Sequence, residues 1–336
     1  MSRLRATAHW QIAVPLWENL TPMDFLVAGL GLVILLFAGD SLVRGAVNAS
    51  LRLGVPALIV SLTVVAFGTS APELLISIEA IDDQAPGLAL GNVVGSNTAN
   101  ILLVLGLPAL ISTLSTSECD TRKSYVTMLI ASLIFIVVAF FGPITWVHGI
   151  LLLSLLTAIL ADQARQALAH RRKASEIEVD LEGADPNLSW RWIAVYLALG
   201  LIGLPLGADL LVDSSLEIAE DFGVSESVIG LTLVALGTSL PELATTVMAA
   251  LRRQADVAIG NVIGSNIFNL LGIMGVASLF GTIPVEHDFL EFDLWVMLGA
   301  SVLIAPFVFS RTRNMTRRWG FALCAGYIGY IFMVVH

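Results

Sequence analysis

The chain has 336 residues, of which 57% are hydrophobic and only 13% are charged, and its formal net charge is −10. Average soluble domains carry about 25% charged residues, so the composition excludes an ordinary soluble fold and indicates an all-α polytopic membrane protein. The acidic balance gives no reason to expect a nucleic-acid partner. Cys119 and Cys324 provide no disulfide framework.

Long apolar segments define the predicted helices, because a membrane-spanning helix needs about 20 mostly apolar residues. Residues 1–23 lack the continuous apolar core of a signal peptide and are predicted to be a short surface segment. Ten apolar segments follow, at about 24–47, 55–81, 85–111, 124–142, 145–165, 190–216, 224–251, 255–280, 290–309 and 318–335. The polar stretch 166–189 is a predicted cytoplasmic loop between a first five-helix unit, 24–165, and a second, 190–336.

The basic residues are distributed unevenly over the connections between these segments. Fifteen of the 17 Lys and Arg residues lie at odd-numbered connections, whereas acids such as Asp82 and Asp83 lie at even-numbered ones. Basic residues favour the cytoplasmic side of a membrane. The pattern therefore predicts cytoplasmic odd connections and both termini outside.

The sequence is also duplicated. AFGTSAPEL at 66–74 recurs as ALGTSLPEL at 235–243, and GNVVGSNTAN at 91–100 recurs as GNVIGSNIFN at 260–269. Both recurrences have the same spacing along the chain, which we call the repeat offset. Without a gap, 54–106 and 223–275 share 23 identities in 53 positions. Each unit has an odd number of spans, so the second enters the membrane from the opposite side. Inverted repeats of this kind are typical of secondary transporters.

The first repeated motif, GTSxPE, places polar groups inside an apolar helix. Pro72 and Pro241 break the helices because proline lacks an amide hydrogen, which frees backbone carbonyl oxygens from about Ala66 to Thr69 and in the second copy. A freed carbonyl in hydrocarbon needs a partner, and a cation is one. An ionisable residue within a membrane is a functional site by default, which singles out Glu73 and Glu242.

The second motif, GNxxGSNxxN, adds neutral oxygen donors and a face of small residues at Gly91 and Gly95 that permits close helix packing. Asn97 and Asn266 are predicted to serve helix contacts. Asp40 and Asp209 are predicted either to act at a gate or behind the ion ligands, or to cap helix ends near the membrane interface. The combined donors are hard oxygens without His or Cys, which suits Ca²⁺ and Na⁺ better than Mg²⁺. Two glutamates balance one Ca²⁺ or two Na⁺.

These motifs closely resemble the two α-repeats of the cation/calcium exchanger superfamily, in its compact prokaryotic sodium/calcium exchanger form, from residue 24 onward. The resemblance implies a ten-helix fold, a central site between the second, third, seventh and eighth helices, and exchange of calcium for sodium by alternating access. It implies a location in a prokaryotic inner membrane, no cofactor, and bound Ca²⁺ and Na⁺ as the transported ions. By motif position it implies carboxylate ligands at Glu73 and Glu242, and further ligands at Ala66, Thr69, Ser70, Ser96, Asn100, Ala235, Thr238, Ser239, Ser265 and Asn269.

One position departs from the family pattern, since many sodium-coupled members have Asp where this chain has Asn269. The difference leaves the sodium stoichiometry open and keeps proton/calcium antiport as the main alternative. A cation channel fits less well, because no filter-like run occurs. An enzyme is not indicated either, because the histidines lie outside the motifs and no HExxH sequence is present.

Overall fold

The structure, a computed structural model, describes residues 22–116, 119, 121–171, 185, 188–221, 235–310 and 312–335. Most of the predicted surface segment, most of the predicted loop and the start of the predicted seventh span lie outside these residues. The described helices are α1 Pro22–Leu53, α2 Ala57–Thr69, α3 Ala71–Asp82, α4 Pro86–Ile111, α5 Arg122–Phe140, α6 Trp146–Arg171, α7 Trp190–Asp221, α8 Ala235–Thr238, α9 Leu240–Leu251, α10 Ala255–Phe280, α11 Phe289–Phe309 and α12 Arg317–Val335.

Helix length and apolarity support a membrane protein. Among the described residues, seven helices are long and apolar enough to cross a membrane, and α2 with α3 forms an eighth span if the bent pair is counted as one. Several helices exceed the predicted bounds: α1 reaches Leu53, α7 reaches Asp221, and α6 continues to Arg171 into the stretch predicted as a loop.

The helices α4 and α10, which carry the two GNxxGSN motifs, lie at the centre of the molecule. In the most apolar 18-residue stretch of each helix, 72% of α4 and 83% of α10 is buried inside the protein, compared with 22% of α6 and 22% of α7. Both contain a π-helical segment, at Asn100–Val104 in α4 and Phe268–Ile273 in α10. Gly264 of α10 packs tightly against α2, since a methyl group there would lie 2.7 Å from the carbonyl oxygen of Leu62. The prediction that the small residues of this motif permit close packing is therefore confirmed at Gly264. It is wrong for Gly91 and Gly95 in the first copy, because a methyl group at Gly95 would meet nothing within 4 Å and one at Gly91 would make only an ordinary contact at 3.7 Å.

The two longest helices, α1 and α7, pack side by side and antiparallel. A methyl group on Gly207 of α7 would lie 2.8 Å from the amide nitrogen of Leu35 and 2.9 Å from the carbonyl oxygen of Gly31, both in α1. Glycine is therefore required for this close approach. Buried residues of α1 and α7, with a few from α2 and α9, form a hydrophobic cluster separate from the larger one around α4 and α10.

Candidate ion-binding site

Both GTSxPE motifs interrupt a helix at the serine. The bend between α2 and α3 is 41°, and Ser70 lies between them with non-helical angles of φ −86° and ψ 7°. Ser239 separates α8 from α9 with nearly the same angles, φ −88° and ψ 3°. Pro72 and Pro241 lie in the first turns of α3 and α9, where a missing amide hydrogen costs little. The interruption predicted from the prolines is therefore present in both motifs.

The proline frees fewer carbonyl groups than the sequence suggested. The carbonyl oxygen of Ala66 still accepts the amide hydrogen of Ser70 at 3.0 Å, and it also accepts the Thr69 hydroxyl at 3.3 Å. The reason is that Pro72 removes only the donor that would serve Gly68, four residues earlier. Ala235 is the first residue of α8, and its side chain lies outside the described atoms.

Glu73 and Glu242 lie in the first turns of α3 and α9, and both are fully buried. The two motifs meet here, because Ser70, three residues before Glu73, donates its hydroxyl hydrogen to Glu242 at 3.0 Å. The N-terminal end of a helix carries a partial positive charge, which favours a carboxylate at that position. Two acidic side chains are thus held together inside an apolar protein, as the duplicated motif predicts if both copies contribute to one site.

The two carboxyl groups differ in their hydrogen bonds. One oxygen of Glu242 accepts the hydroxyl of Ser70 at 3.0 Å and that of Ser265 at 3.4 Å. Among the described residues, no group donates a hydrogen bond to its second oxygen or to either oxygen of Glu73. Buried acceptors are normally satisfied. The unpaired oxygens therefore mark a place that a cation would complete.

Two asparagines support the backbone around these glutamates. Asn92 donates to the carbonyl oxygen of Glu73 at 3.3 Å and to Ser77 at 3.2 Å. Asn261 makes the corresponding bonds to Glu242 at 3.3 Å and to Thr246 at 3.2 Å. Their positions differ by the repeat offset, which is the signal that identifies them in the sequence. The side-chain oxygen of Asn261 also lies 3.3 Å from the Thr69 hydroxyl, whose single hydrogen is shared between this oxygen and the carbonyl oxygen of Ala66, and this contact links the two copies.

Polar side chains also join α4 to α10 and α8. Asn97 donates to the carbonyl oxygen of Asn266 at 3.2 Å and Asn266 donates to that of Asn97 at 3.4 Å, which confirms their predicted role in helix contacts. Asn100 donates to the side-chain oxygen of Asn266 at 3.1 Å. The hydroxyls of Ser96 and Thr238 lie 3.5 Å apart.

Several of the predicted ligand oxygens remain without a partner in this region. Within the part of the chain that the structure describes, the side-chain oxygens of Asn100, Ser239 and Asn269 are buried and unpaired. Asn100 begins one π-helical segment and Asn269 lies in the other. Wide turns of this kind occur frequently at functional sites. The sequence motifs predict Asn100 and Asn269 as ligands, but they contain no signal for the π-helical segments.

The chemistry of the site follows from this donor set. The described residues contain no group of three or more His, Cys, Asp or Glu side chains that could hold a metal ion. The site instead combines a pair of carboxylates with hydroxyl, amide and backbone oxygens. Such a set suits a hard cation that accepts many oxygen ligands in flexible geometry, as Ca²⁺ does. Cys119 and Cys324 are not joined in a disulfide.

Comparisons with known proteins agree in family and fold. The family model described as sodium/calcium exchanger protein matches residues 23–163 and 192–336. The sodium/calcium exchanger MaX1 of Methanosarcina acetivorans is 33% identical over 94% of this chain and 99% of its own. The putative antiporter CaxA of Alkalimonas amylolytica is 32% identical over 90% and 96%. A solved structure of the sodium-calcium exchanger NCX_Mj, soaked with zero Na⁺ and Ca²⁺, superposes with a TM-score of 0.78 at 32% identity and covers 94% of this chain and 100% of that one.

Proposed function

The chain belongs to the sodium/calcium exchanger protein family, and we propose that it exchanges Ca²⁺ for Na⁺ across a membrane at the site between Glu73 and Glu242. The observation that carries this proposal is the pair of fully buried glutamates, whose oxygens are only partly satisfied by described residues. An ionised carboxylate in such surroundings costs several kcal/mol unless it is compensated. A bound cation provides the compensation, and its release and replacement by another cation is exchange.

Each proposed ligand contributes oxygen. Glu73 and Glu242 supply the charge and are shared by Ca²⁺ and Na⁺. Hydroxyl, amide and backbone oxygens complete the coordination, from Ala66, Thr69, Ser70, Ser96, Asn100, Ala235, Thr238, Ser239, Ser265 and Asn269. Two glutamates neutralise one Ca²⁺ or two Na⁺, so either load removes the charge from the low-dielectric interior. The two loads therefore compete for one site, as an antiporter requires.

The proposed architecture has ten spans in two inverted five-helix repeats, 24–165 and 190–336, joined by a cytoplasmic loop and with both termini outside. Its support is the constant repeat offset and the distribution of Lys and Arg. In this arrangement the two GTSxPE motifs enter the membrane from opposite sides and meet near its centre. Each side of the membrane then has an equivalent route to the glutamates, as alternating access requires.

Proton/calcium antiport is the second candidate, and Asn269 is the observation that favours it. Many sodium-coupled relatives have an acid at this position, and without it the site has one potential charge fewer. The hydroxyl groups of Ser70 and Ser265, both bonded to Glu242, favour sodium instead. A proton carrier needs only the carboxyl group, whereas Na⁺ requires neutral oxygens around it.

Ion flux in proteoliposomes distinguishes the two. Vesicles loaded with Na⁺ are diluted into ⁴⁵Ca²⁺ at equal pH on both sides, with the membrane potential clamped by K⁺ and valinomycin. We expect rapid uptake, and none when K⁺ replaces the internal Na⁺. The same vesicles without Na⁺ but with a pH gradient provide the matched control. Uptake that follows only the pH gradient would replace sodium by protons as the coupling ion.

A further inference from the structure

Two turns at opposite ends of the proposed ion pathway have the same backbone conformation but opposite charges. α3 ends at a turn in which Asp83 is followed by Gln84 with φ 58°, and α9 ends at a turn in which Arg252 is followed by Arg253 with φ 55°. The two turns correspond at the repeat offset, as Glu73 corresponds to Glu242. The two copies therefore share the backbone conformation of this turn but have opposite charge there.

At the α9 turn, Arg252 forms an ion pair with Asp40 of α1. The guanidinium Nε contacts one carboxylate oxygen of Asp40, and the Nε of Arg44 lies 2.9 Å from the other. The side chains of Arg252 and Asp40 are only 19% and 18% exposed. A partly buried pair of this kind is less screened by water and salt than a surface pair. It joins α1 directly to the end of a helix that carries a proposed ligand.

At the α3 turn, the corresponding positions are all acidic. The equivalents of Asp40, Arg44 and Arg252 are Asp209, Asp213 and Asp83. All three are exposed, and the ion pairs found among the described residues do not include them. Like charges repel, so nothing comparable holds α7 to the α3 turn.

The packing of the long helix against the turn-bearing helix also differs between the two copies. A methyl group on Gly39 of α1 would lie 3.0 Å from the carbonyl group of Ala244, so α1 and α9 are in close contact there. The residues equivalent to Gly39 and Thr245 are Ala208 and Ile76, and both line a cavity of about 100 Å³. That cavity reaches Thr238 and both motif prolines, Pro72 and Pro241. One end of the pathway is closed where its counterpart is open.

We infer that the Asp40–Arg252 ion pair is a latch, which holds the α1–α9 end of the pathway closed and so favours the conformation that is open beside Asp209. This inference rests on the alternating access proposed above. The pair forms only in the conformation that brings α1 against α9, so it stabilises that conformation relative to its alternative. The three acids at the opposite end provide no competing latch.

Thiol labelling measures the two ends separately, in a background with Cys119→Ser and Cys324→Ser. Thr245→Cys reports the closed end, because Thr245 is fully buried, and Ile76→Cys reports the open end. The variants Asp40→Asn and Arg252→Gln remove the latch singly and together. We expect each to raise the ratio of labelling at 245 to labelling at 76 by about 5-fold or more, the effect of a modest coupling. The double variant should match either single variant in this ratio, since each removes the Asp40–Arg252 pair, and the Asp40–Arg44 contact lies within α1 and does not join it to α9.

The matched control is Arg253→Gln, which removes a neighbouring positive charge at an exposed position. Gln fits there because Gln84 occupies the equivalent turn position at φ 58°. We expect the labelling ratio of this control to remain at the wild-type value. If Arg252→Gln is monodisperse and labels like Arg253→Gln, the latch is wrong.

A gain-of-function variant covers the case in which loss of the latch disturbs folding. Asp83→Arg recreates Arg252 at the opposite turn, where Asp209 is the equivalent of Asp40, and should lower labelling at 76 and raise it at 245. Gln84→Arg adds the same charge at the position of Arg253 and should do neither. Equal labelling of these two variants would also overturn the latch.

The labelling experiment also distinguishes failure of the latch from failure of the proposed exchange, because labelling is measured without ion gradients. A shifted labelling ratio in a protein that lacks sodium-driven ⁴⁵Ca²⁺ flux would preserve the latch and reject the proposed exchange.

Discussion

Replacement of Glu73 by Gln should abolish calcium transport without unfolding the protein. Glu73 is fully buried, and within the described part of the chain neither of its oxygens receives a hydrogen bond. Glutamine keeps the size of the side chain and removes the charge. Without an ion, the variant therefore loses no described hydrogen bond at this position. With an ion, it loses half of the charge that the site provides.

The expected loss of affinity follows from the removal of one charged partner. Truncating one member of a buried charge pair costs about 2–5 kcal/mol, and about 3 kcal/mol corresponds to roughly 100-fold weaker Ca²⁺ binding. At a Ca²⁺ concentration about 100 times the wild-type Kd, the ion stabilises the folded protein by about 2.7 kcal/mol. With a Kd about 100-fold weaker, the same concentration contributes only about 0.4 kcal/mol.

Two measurements test this result on one preparation. Thermal unfolding in detergent, with and without Ca²⁺, should show a large ion-dependent rise in the wild-type midpoint and almost none in Glu73→Gln. ⁴⁵Ca²⁺ uptake into sodium-loaded vesicles should fall to background in the variant. Glu79→Gln is the matched control, because Glu79 lies on the same helix but is exposed, and it should behave as wild type. Near-normal uptake by Glu73→Gln would refute the assigned site.

Three further changes test other parts of the account. Asn269→Asp should remain active but alter the sodium dependence of ⁴⁵Ca²⁺ flux, since it adds the acid found in many relatives; an unchanged sodium titration would argue against Asn269 as a ligand. Cysteines introduced as Gln84→Cys and Arg253→Cys should react with an impermeant reagent from opposite sides of intact cells, and labelling from one side would contradict the inverted topology. Gly207→Ala should lower stability by about 1–3 kcal/mol through overpacking against α1, whereas Gly29→Ala, which has open space around it, should not; equal thermal midpoints would contradict the close packing of α1 and α7.

Much of the site could be predicted from the sequence because both of its motifs occur twice in the chain. The repeat offset pairs Glu73 with Glu242 and Asn92 with Asn261, and the structure gives both asparagines the same bonds to the glutamate backbones. The prolines predict the interruptions at Ser70 and Ser239 because the loss of an amide donor is a local property. Residue type and spacing are enough to predict a feature when the interaction that determines it lies within one helical turn.

Other features depend on packing between distant helices and carry no local signal. The π-helical segments begin at Asn100 and Phe268, close to the contact between Asn97 of α4 and Asn266 of α10, and neither segment begins at a proline or a glycine. Ala66 keeps its helical donor because only the bond to Gly68 is lost. The contrast between the close contact at Gly39 and the cavity at Ala208 could not be predicted from the sequence either, because two similar sequences pack differently in the two halves.

The most direct test of the exchange is the counterflow of the two ions in the same vesicles. Proteoliposomes loaded with ²²Na⁺ are given external ⁴⁵Ca²⁺ at a clamped potential and equal pH, and both isotopes are counted over time for wild type and Glu73→Gln. We expect Ca²⁺ entry to accelerate Na⁺ exit in wild type and both fluxes to be lost together in the variant. Calcium entry without accelerated sodium exit, or retention of the coupled fluxes in Glu73→Gln, would contradict it.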